Sequence, residues 1–160
     1  MPPPPLLIQR LVTTEQLTAV FPLVAQLRDR ITPQTFVAEV RRQEADGYIA
    51  VAGFIDGRAV VFAGYRLAHT LSRGPHLFVD DLVTDAAARG RGHGREMLRW
   101  LAQRAVEAGV PRVYLDSRDT ARGFYEQVGF AFLTSIPCAI DAAQLMRELG
   151  GDNAEQGGAR

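Results

Sequence analysis

The sequence predicts one mixed sheet with helices packed on it, a domain of the α/β or α+β class. Two observations carry that reading. Hairpin-type strand pairs come first and βαβ-like crossings follow, in the order β-α-α-β-β-β-α-β-α-β. The chain has 160 residues, 47% of them hydrophobic and 22% charged, which suits one soluble core of ordinary size.

Each element has its own signal. Leu6–Val12 reads as a first strand. Thr13 and Thr14, followed by Glu15 and Gln16, form a helix start with a hydroxyl cap and acidic or amide groups in the first turn. Leu17, Val20, Phe21, Val24 and Leu27 recur at helical spacing, with Pro22 expected to kink or split that helix. Thr32-Pro33 opens a second helix, which Asp46-Gly47 ends. Tyr48–Ile55 and Arg58–Leu67 are strands joined by Asp56-Gly57, a tight-hairpin pair. After a loop at Arg73-Gly74-Pro75, His76–Thr84 is a further strand. A long helix spans Gly92–Ala108 and is stopped by Gly109 and Pro111. Arg112–Asp116 is a short strand, Thr120–Val128 a helix ended by Gly129, and Phe130–Ile140 one or two closing strands with Pro137 at a bend or edge. Asp141–Leu149 is a last short helix. Residues 1–5 read as a proline-rich lead-in, residues 6–149 as a single domain and residues 150–160 as a disordered tail.

Composition narrows the function. Eighteen basic residues balance eighteen acidic ones, which argues against a general nucleic-acid binder, although arginines cluster over residues 89–104. The lone Cys138 cannot build a disulfide framework or a multi-cysteine zinc site, and its apolar neighbours suggest a buried structural thiol. His69 and His76 lack partners at metal-ligand spacing, so no metal is expected. No apolar run approaches the ~20 residues of a membrane span, and the first residues lack the basic and apolar segments of a signal peptide; a cytoplasmic protein without a membrane partner is expected.

The most informative segment is Leu82-Val83-Thr84-Asp85-Ala86-Ala87-Ala88-Arg89-Gly90-Arg91-Gly92-His93-Gly94-Arg95. A strand ends, a loop turns and glycines open a helix. Glycine lets the backbone approach a ligand, and the free N–H groups of a helix start favour an anion. Arg89, Arg91 and Arg95 add full positive charges. The segment therefore reads as a phosphate or pyrophosphate cradle. It is not a P-loop, because no Lys-Ser or Lys-Thr follows the glycines and the chain contains no lysine. It is not the dinucleotide fingerprint, which would need glycine where Arg95 stands. The pattern [Q/R]-x-x-G-x-G fits Arg89, Gly92 and Gly94.

With that loop, the preceding Leu82-Val83 pair and the later Ala121-Arg122-Gly123-Phe124-Tyr125-Glu126-Gln127-Val128-Gly129-Phe130, the sequence resembles the GNAT superfamily of N-acetyltransferases over about residues 6–135. The resemblance implies a mixed, mostly antiparallel sheet of six or seven strands flanked by about four helices. It also implies acetyl-CoA as acyl donor and a small-molecule or protein amine as acceptor. The chain departs from the pattern at Leu115-Asp116-Ser117-Arg118-Asp119-Thr120, a short segment without the asparagine often found there. A contact to the coenzyme arm is then missing or made by Ser117 or Asp119.

The resemblance further implies roles. Leu82, Val83 and Thr84 would meet the pantetheine arm, with the Val83 amide polarising the thioester carbonyl. The loop Arg89–Arg95, including Gly90, Arg91, Gly92, His93 and Gly94, would hold the pyrophosphate, with Ser117 and Phe124 completing the coenzyme site. Tyr125 would protonate the departing thiolate, and Asp80 would take the proton of the attacking amine, directly or through water. Asp80 and Asp81 are adjacent on a strand and are expected to face opposite sides of the sheet. Asp81 and Arg28 are candidate acceptor contacts. Trp100 reads as a core residue. The rival reading is a non-catalytic acyl-CoA sensor or scaffold on the same fold, and the oligomeric state, monomer or homodimer, stays open.

Overall fold

A computed structural model describes residues 3–150; of the tail expected over residues 150–160 only Gly150 is described, at the end of a helix, and the rest of it and the first two residues of the proline lead-in lie outside the described residues. Five strands form one sheet in chain order: β1 (Leu7–Arg10), β2 (Ile49–Ile55), β3 (Arg58–Thr70), β4 (Gly74–Thr84) and β5 (Val113–Leu115). The first four pair antiparallel and β5 joins β4 in parallel. The helices are α1 (Thr14–Ala25), α2 (Pro33–Glu44), α3 (His93–Glu107), α4 (Arg122–Val128) and α5 (Ala142–Gly150). This is the expected mixed, mostly antiparallel architecture.

Local chemistry explains the element ends. Thr13 caps α1 and Thr32 caps α2; each hydroxyl accepts from the backbone N–H three residues on, and Gln16 and Thr35 return the bond to the cap backbone. Asp56 and Gly57 both take positive φ, 48° and 77°, the conformation a two-residue hairpin turn needs. Pro22 lies inside α1 and does not split it. Leu17, Val20, Leu23 and Val24 are buried along α1, so packing against the sheet outweighs the backbone hydrogen bond that proline cannot make.

The sheet is covered on both faces. On one, Leu17, Val20 and Val24 of α1 and Phe36 and Val40 of α2 pack on Phe62 and Val83. On the other, Met97, Leu98, Leu101 and Ala105 are the buried face of α3, and half-buried Trp100 meets Tyr65 edge-on at 6.2 Å. His76 is a buried core histidine whose Nδ1 lies 2.8 Å from the Gly74 carbonyl oxygen.

The chain divides into a first unit through Val128 and a second from Gly129. In the second, the closing strands expected over Phe130–Ile140 are absent among the described residues, and the sheet has five strands rather than six or seven. Strand propensity acts only where a neighbouring strand offers hydrogen bonds and a packed face, and Pro137 also lacks an N–H. Cys138 is correspondingly exposed, not buried. Among the described residues no helix is long and apolar enough to cross a membrane, and no group of three or more His, Cys, Asp or Glu side chains is placed to hold a metal ion.

Candidate active site

The site begins where two strands part. β4 and β5 pair only from Leu77↔Val113 to Val79↔Leu115, yet β4 continues to Thr84. On its other edge β4 stays bonded to β3, with Asp81 opposite Gly64 and Val83 opposite Phe62. Along residues 80–84 the edge nearer β5 therefore has no strand partner among the described residues. Backbone groups without a strand partner can bond an extended ligand, although the Asp80 carbonyl already accepts from Arg28 and the Thr84 carbonyl from Arg89.

A cleft of about 960 Å³ opens at this parting. Its floor includes Val79, Asp80, Leu82, Val83 and Thr84 of β4, and one wall holds Phe124 and Tyr125 of α4 with Ser117 from the loop after β5. Arg89, Gly90, Gly92, His93, Gly94 and Arg95 form its glycine-rich end. Arg28 and Gln26, at the C-terminal end of α1 and just beyond, border the opposite side. Of the candidate site residues singled out in the sequence, Arg91, Asp81 and Asp119 do not line this cleft.

The glycine end is shaped for an anion. Gly92 is the N-cap of α3 with φ 87°, and no side chain caps the helix, so its first N–H groups are not taken by a capping bond. A Cβ at Gly94 would lie 3.2 Å from Thr84 Oγ1 and 3.3 Å from Phe124 Cζ, so glycine keeps the passage between helix and strand open. His93 Nδ1 is buried with no hydrogen-bond partner among the described residues. Uncapped N–H groups, an orphaned ring nitrogen and the nearby Arg89 and Arg95 fit a pyrophosphate.

Asp85 holds the approach to this loop. Its Oδ1 accepts from Gln26 Nε2 at 3.2 Å and from the Ala87 amide at 3.1 Å, and its Oδ2 pairs with Arg58. Gln26 also accepts the Ala86 amide at 2.9 Å. The Gln26 hydrogen bond, then the Ala87 amide and Arg58, hold the Asp85 carboxyl below its usual range. Across the cleft, Arg118 donates to the Leu27 carbonyl at 3.1 Å and ties the short segment after β5 to the end of α1.

Tyr125 is buried and meets Phe124 edge-on at 5.1 Å. Burial raises its pKa, so the phenol keeps its proton and can serve as a donor.

The two aspartates do not face opposite sides. The β3–β4 register slips beside Gly64 and Tyr65: Gly64 pairs with Asp81 and Tyr65 with Val79, which leaves Asp80 as an extra, bulged residue. Regular alternation fails there, and both carboxylates find partners on the α1–α2 face. Asp80 accepts a two-pronged grip from Arg66, both distances 2.7 Å. Asp81 Oδ1 accepts from Arg28 Nη2 at 2.7 Å and Nε at 2.9 Å, and its Oδ2 accepts from the Tyr48 hydroxyl at 2.8 Å. Arg28 also donates to the Asp80 carbonyl oxygen at 3.2 Å. Burial first, and the Asp81 charge next, push the Tyr48 phenol well above its ordinary value, so it acts only as a neutral donor. The Asp80 carboxylate retains lone pairs outside the Arg66 grip for a water or an amine.

Sequence reasoning missed Arg66, Tyr48's bond to Asp81, Gln26 and Arg118. A signal existed for one element of this group: Gly64, a glycine inside a strand pattern, marks close approach of another group. No local pattern marks the others, because their partners lie 14 to 91 residues away in the chain.

The family model described as "Acetyltransferase (GNAT) family" matches residues 15–130. An uncharacterized N-acetyltransferase, YhdJ, of Bacillus subtilis is 24% identical over 128 residues, covering 77% of this chain and 90% of that protein. Glucosamine 6-phosphate N-acetyltransferase 1 of rice (Oryza sativa subsp. japonica) is 34% identical over 91 residues, which cover 57% of this chain and 50% of that protein. Among solved structures, the aminoglycoside N-acetyltransferase AAC(6')-Iy in complex with a CoA-containing bisubstrate analog superimposes with a TM-score of 0.74 at 17% identity, over 86% of this chain and 98% of that one. The match of the family model over most of the chain shows that it belongs to the acetyltransferase (GNAT) family, a family of acyltransferases.

Proposed function

We propose that this N-acetyltransferase moves an acetyl group from acetyl-CoA to a primary amine by direct attack while both substrates are bound. The observation that carries the reading is the unpaired edge of β4 over residues 80–84, which runs from the uncapped glycine loop to Tyr125 and Asp80 in one cleft. AAC(6')-Iy, similar in fold, is in complex with a bisubstrate analog that contains CoA, and this supports the choice of donor.

Each residue has a task in this scheme. Loop amides from Gly90 to Gly94, with Arg89 and Arg95, hold the pyrophosphate. Leu82, Val83 and Thr84 bond the pantetheine arm as a strand would, with Ser117 and Phe124 beside it. The amine nitrogen attacks the thioester carbonyl carbon, forming the C–N bond. Negative charge gathering on the carbonyl oxygen is met by the Val83 N–H. The C–S bond breaks and Tyr125 gives its proton to the thiolate. Asp80, directly or through water, takes the proton lost by nitrogen and passes it to solvent, from which the phenol regains its own. Products are an amide and the free thiol. Arg66 orients Asp80; Arg28 and Asp81 face the acceptor. The cytoplasm is the proposed compartment, and no observation favours a non-catalytic sensor.

Release of free thiol from acetyl-CoA in the presence of a primary-amine panel tests this reading. Amine-dependent release is expected. Tight acetyl-CoA binding with no amine-dependent thiol would overturn it in favour of a sensor.

A further inference from the structure

Beside the cleft lies a second, smaller cavity of about 160 Å³. Its buried floor is Val24, Phe36, Val40 and Phe62, with the Phe36 and Phe62 rings edge-to-face at 6.0 Å. Half-buried Ile31 closes one side. At the rim stand Arg28, Glu39, Gln43 and Asp81, so the lining holds one cation against two carboxylates.

The two spaces meet at β4. Asp80 lines the large cleft and Asp81 lines the small cavity, and adjacent residues of a strand stand only ~3.8 Å apart at their Cα atoms. Arg28 borders both. An amine held at Asp80 is therefore next to the small cavity, whose lining includes the following residue of the strand. Three properties define what that cavity takes. An apolar cavity of ~150 Å³ accommodates a benzene molecule. Paired aromatic walls favour a further ring edge-on or an aliphatic branch. The excess of carboxylate at the rim attracts an ammonium and offers no surplus positive charge to a phosphate.

We propose that this cavity is the acceptor-specificity pocket, and that it selects a primary amine bearing an apolar group of about six carbons, such as an arylalkyl or branched alkyl amine, over sugar-phosphate amines. The proposal rests on the acetyltransferase reading above and adds the class of acceptor.

The test compares kcat/KM for 2-phenylethylamine, ethylamine and glucosamine 6-phosphate by thiol release at saturating acetyl-CoA. An apolar pocket of this size predicts a preference for 2-phenylethylamine over ethylamine of about tenfold or more, with glucosamine 6-phosphate the poorest. Filling the pocket with Ile31→Trp, or with Val40→Phe, should collapse that ratio towards one while the melting shift with acetyl-CoA persists. Two variants are used because Val40 is a core residue and Ile31 only half-buried. Equal rates for the two amines, preference for the sugar phosphate, or a ratio unmoved in a folded variant would overturn the pocket but leave acetyl transfer intact. Thiol release with none of the amines is resolved by calorimetric titration of 2-phenylethylamine into the CoA-bound protein. Binding that is lost in Ile31→Trp supports the pocket even though transfer fails; no binding overturns it.

Discussion

The Tyr48 hydroxyl occupies the space that a Cβ on Gly64 would fill, and from there it donates a 2.8 Å hydrogen bond to Asp81 Oδ2. Gly64 and Asp81 are paired across β3 and β4, so one missing side chain makes room for the donor that orients the carboxylate opposite it. Arg28 takes the other oxygen of Asp81. The result is a carboxylate held in place at the rim of the smaller apolar cavity.

Gly64→Ala should displace the Tyr48 ring and cost about 1–3 kcal/mol, as overpacking of a filled interior does. Tyr48→Phe should cost about 1.5–3 kcal/mol, the range for a hydrogen bond to a charged group. The double variant should lose less than the sum, because the phenylalanine no longer carries the hydroxyl that the new methyl strikes. Chemical denaturation of the four proteins checks this; additive losses would separate Gly64 from Tyr48.

Tyr125→Phe should lower kcat by about 10²–10⁴-fold, the range for a lost general acid, and leave acetyl-CoA binding in place. The pH profile has a defined sign. Burial raises the phenol pKa, so the proton-donating form persists on the alkaline side and is lost only as pH rises through that raised value, above the ordinary ~10. The kcat profile of the native protein should show no alkaline fall from this group below about pH 10. An unchanged kcat in Tyr125→Phe would remove the tyrosine from the mechanism.

Gly94→Val should abolish the response to acetyl-CoA, since even the first added carbon stands 3.2 Å from Thr84 Oγ1 and 3.3 Å from Phe124 Cζ. Gly92→Ala acts differently. It forces a side chain onto φ 87° at the helix cap and should cost about 1–2 kcal/mol in stability. Melting each variant with and without acetyl-CoA separates a blocked passage from a strained turn.

Asp85 should make stability acid-sensitive. Its folded-state pKa is lowered, chiefly by Gln26 and then by the Ala87 amide and Arg58, so its contribution is present above the unfolded carboxyl value near ~3.9 and is lost as pH falls through the folded value. Asp85→Asn should be less stable than the native chain at neutral pH. The two melting temperatures should converge as pH drops below about 4. Parallel curves across that window would show that the carboxylate charge contributes nothing.

How much was legible follows from the range of the forces involved. The caps at Thr13 and Thr32, the Asp56-Gly57 turn and the extent of α3 are local, and the chain displays each within a few residues. The glycine loop and Tyr125 were readable because their residue spacing is itself the signature. The bulge at Asp80 was not, since it depends on the register between β3 and β4, and it reversed the expected alternation of the two carboxylates. Arg66, Gln26 and Arg118 act through partners far along the chain. Phe130–Ile140 shows the opposite error: apolar residues suggested strands, but a strand requires a paired neighbour as well as propensity.

The most direct test of the central claim is a thermal melt with and without acetyl-CoA, with NAD and ATP as controls. A ligand at ~100 times its dissociation constant adds about 2.7 kcal/mol, which for a domain of this size predicts a rise of about 5–11 °C. The cleft described here predicts that rise with acetyl-CoA alone. No rise at millimolar acetyl-CoA, or an equal rise with ATP, would contradict the assignment of the glycine loop and the β4 edge to the acyl donor.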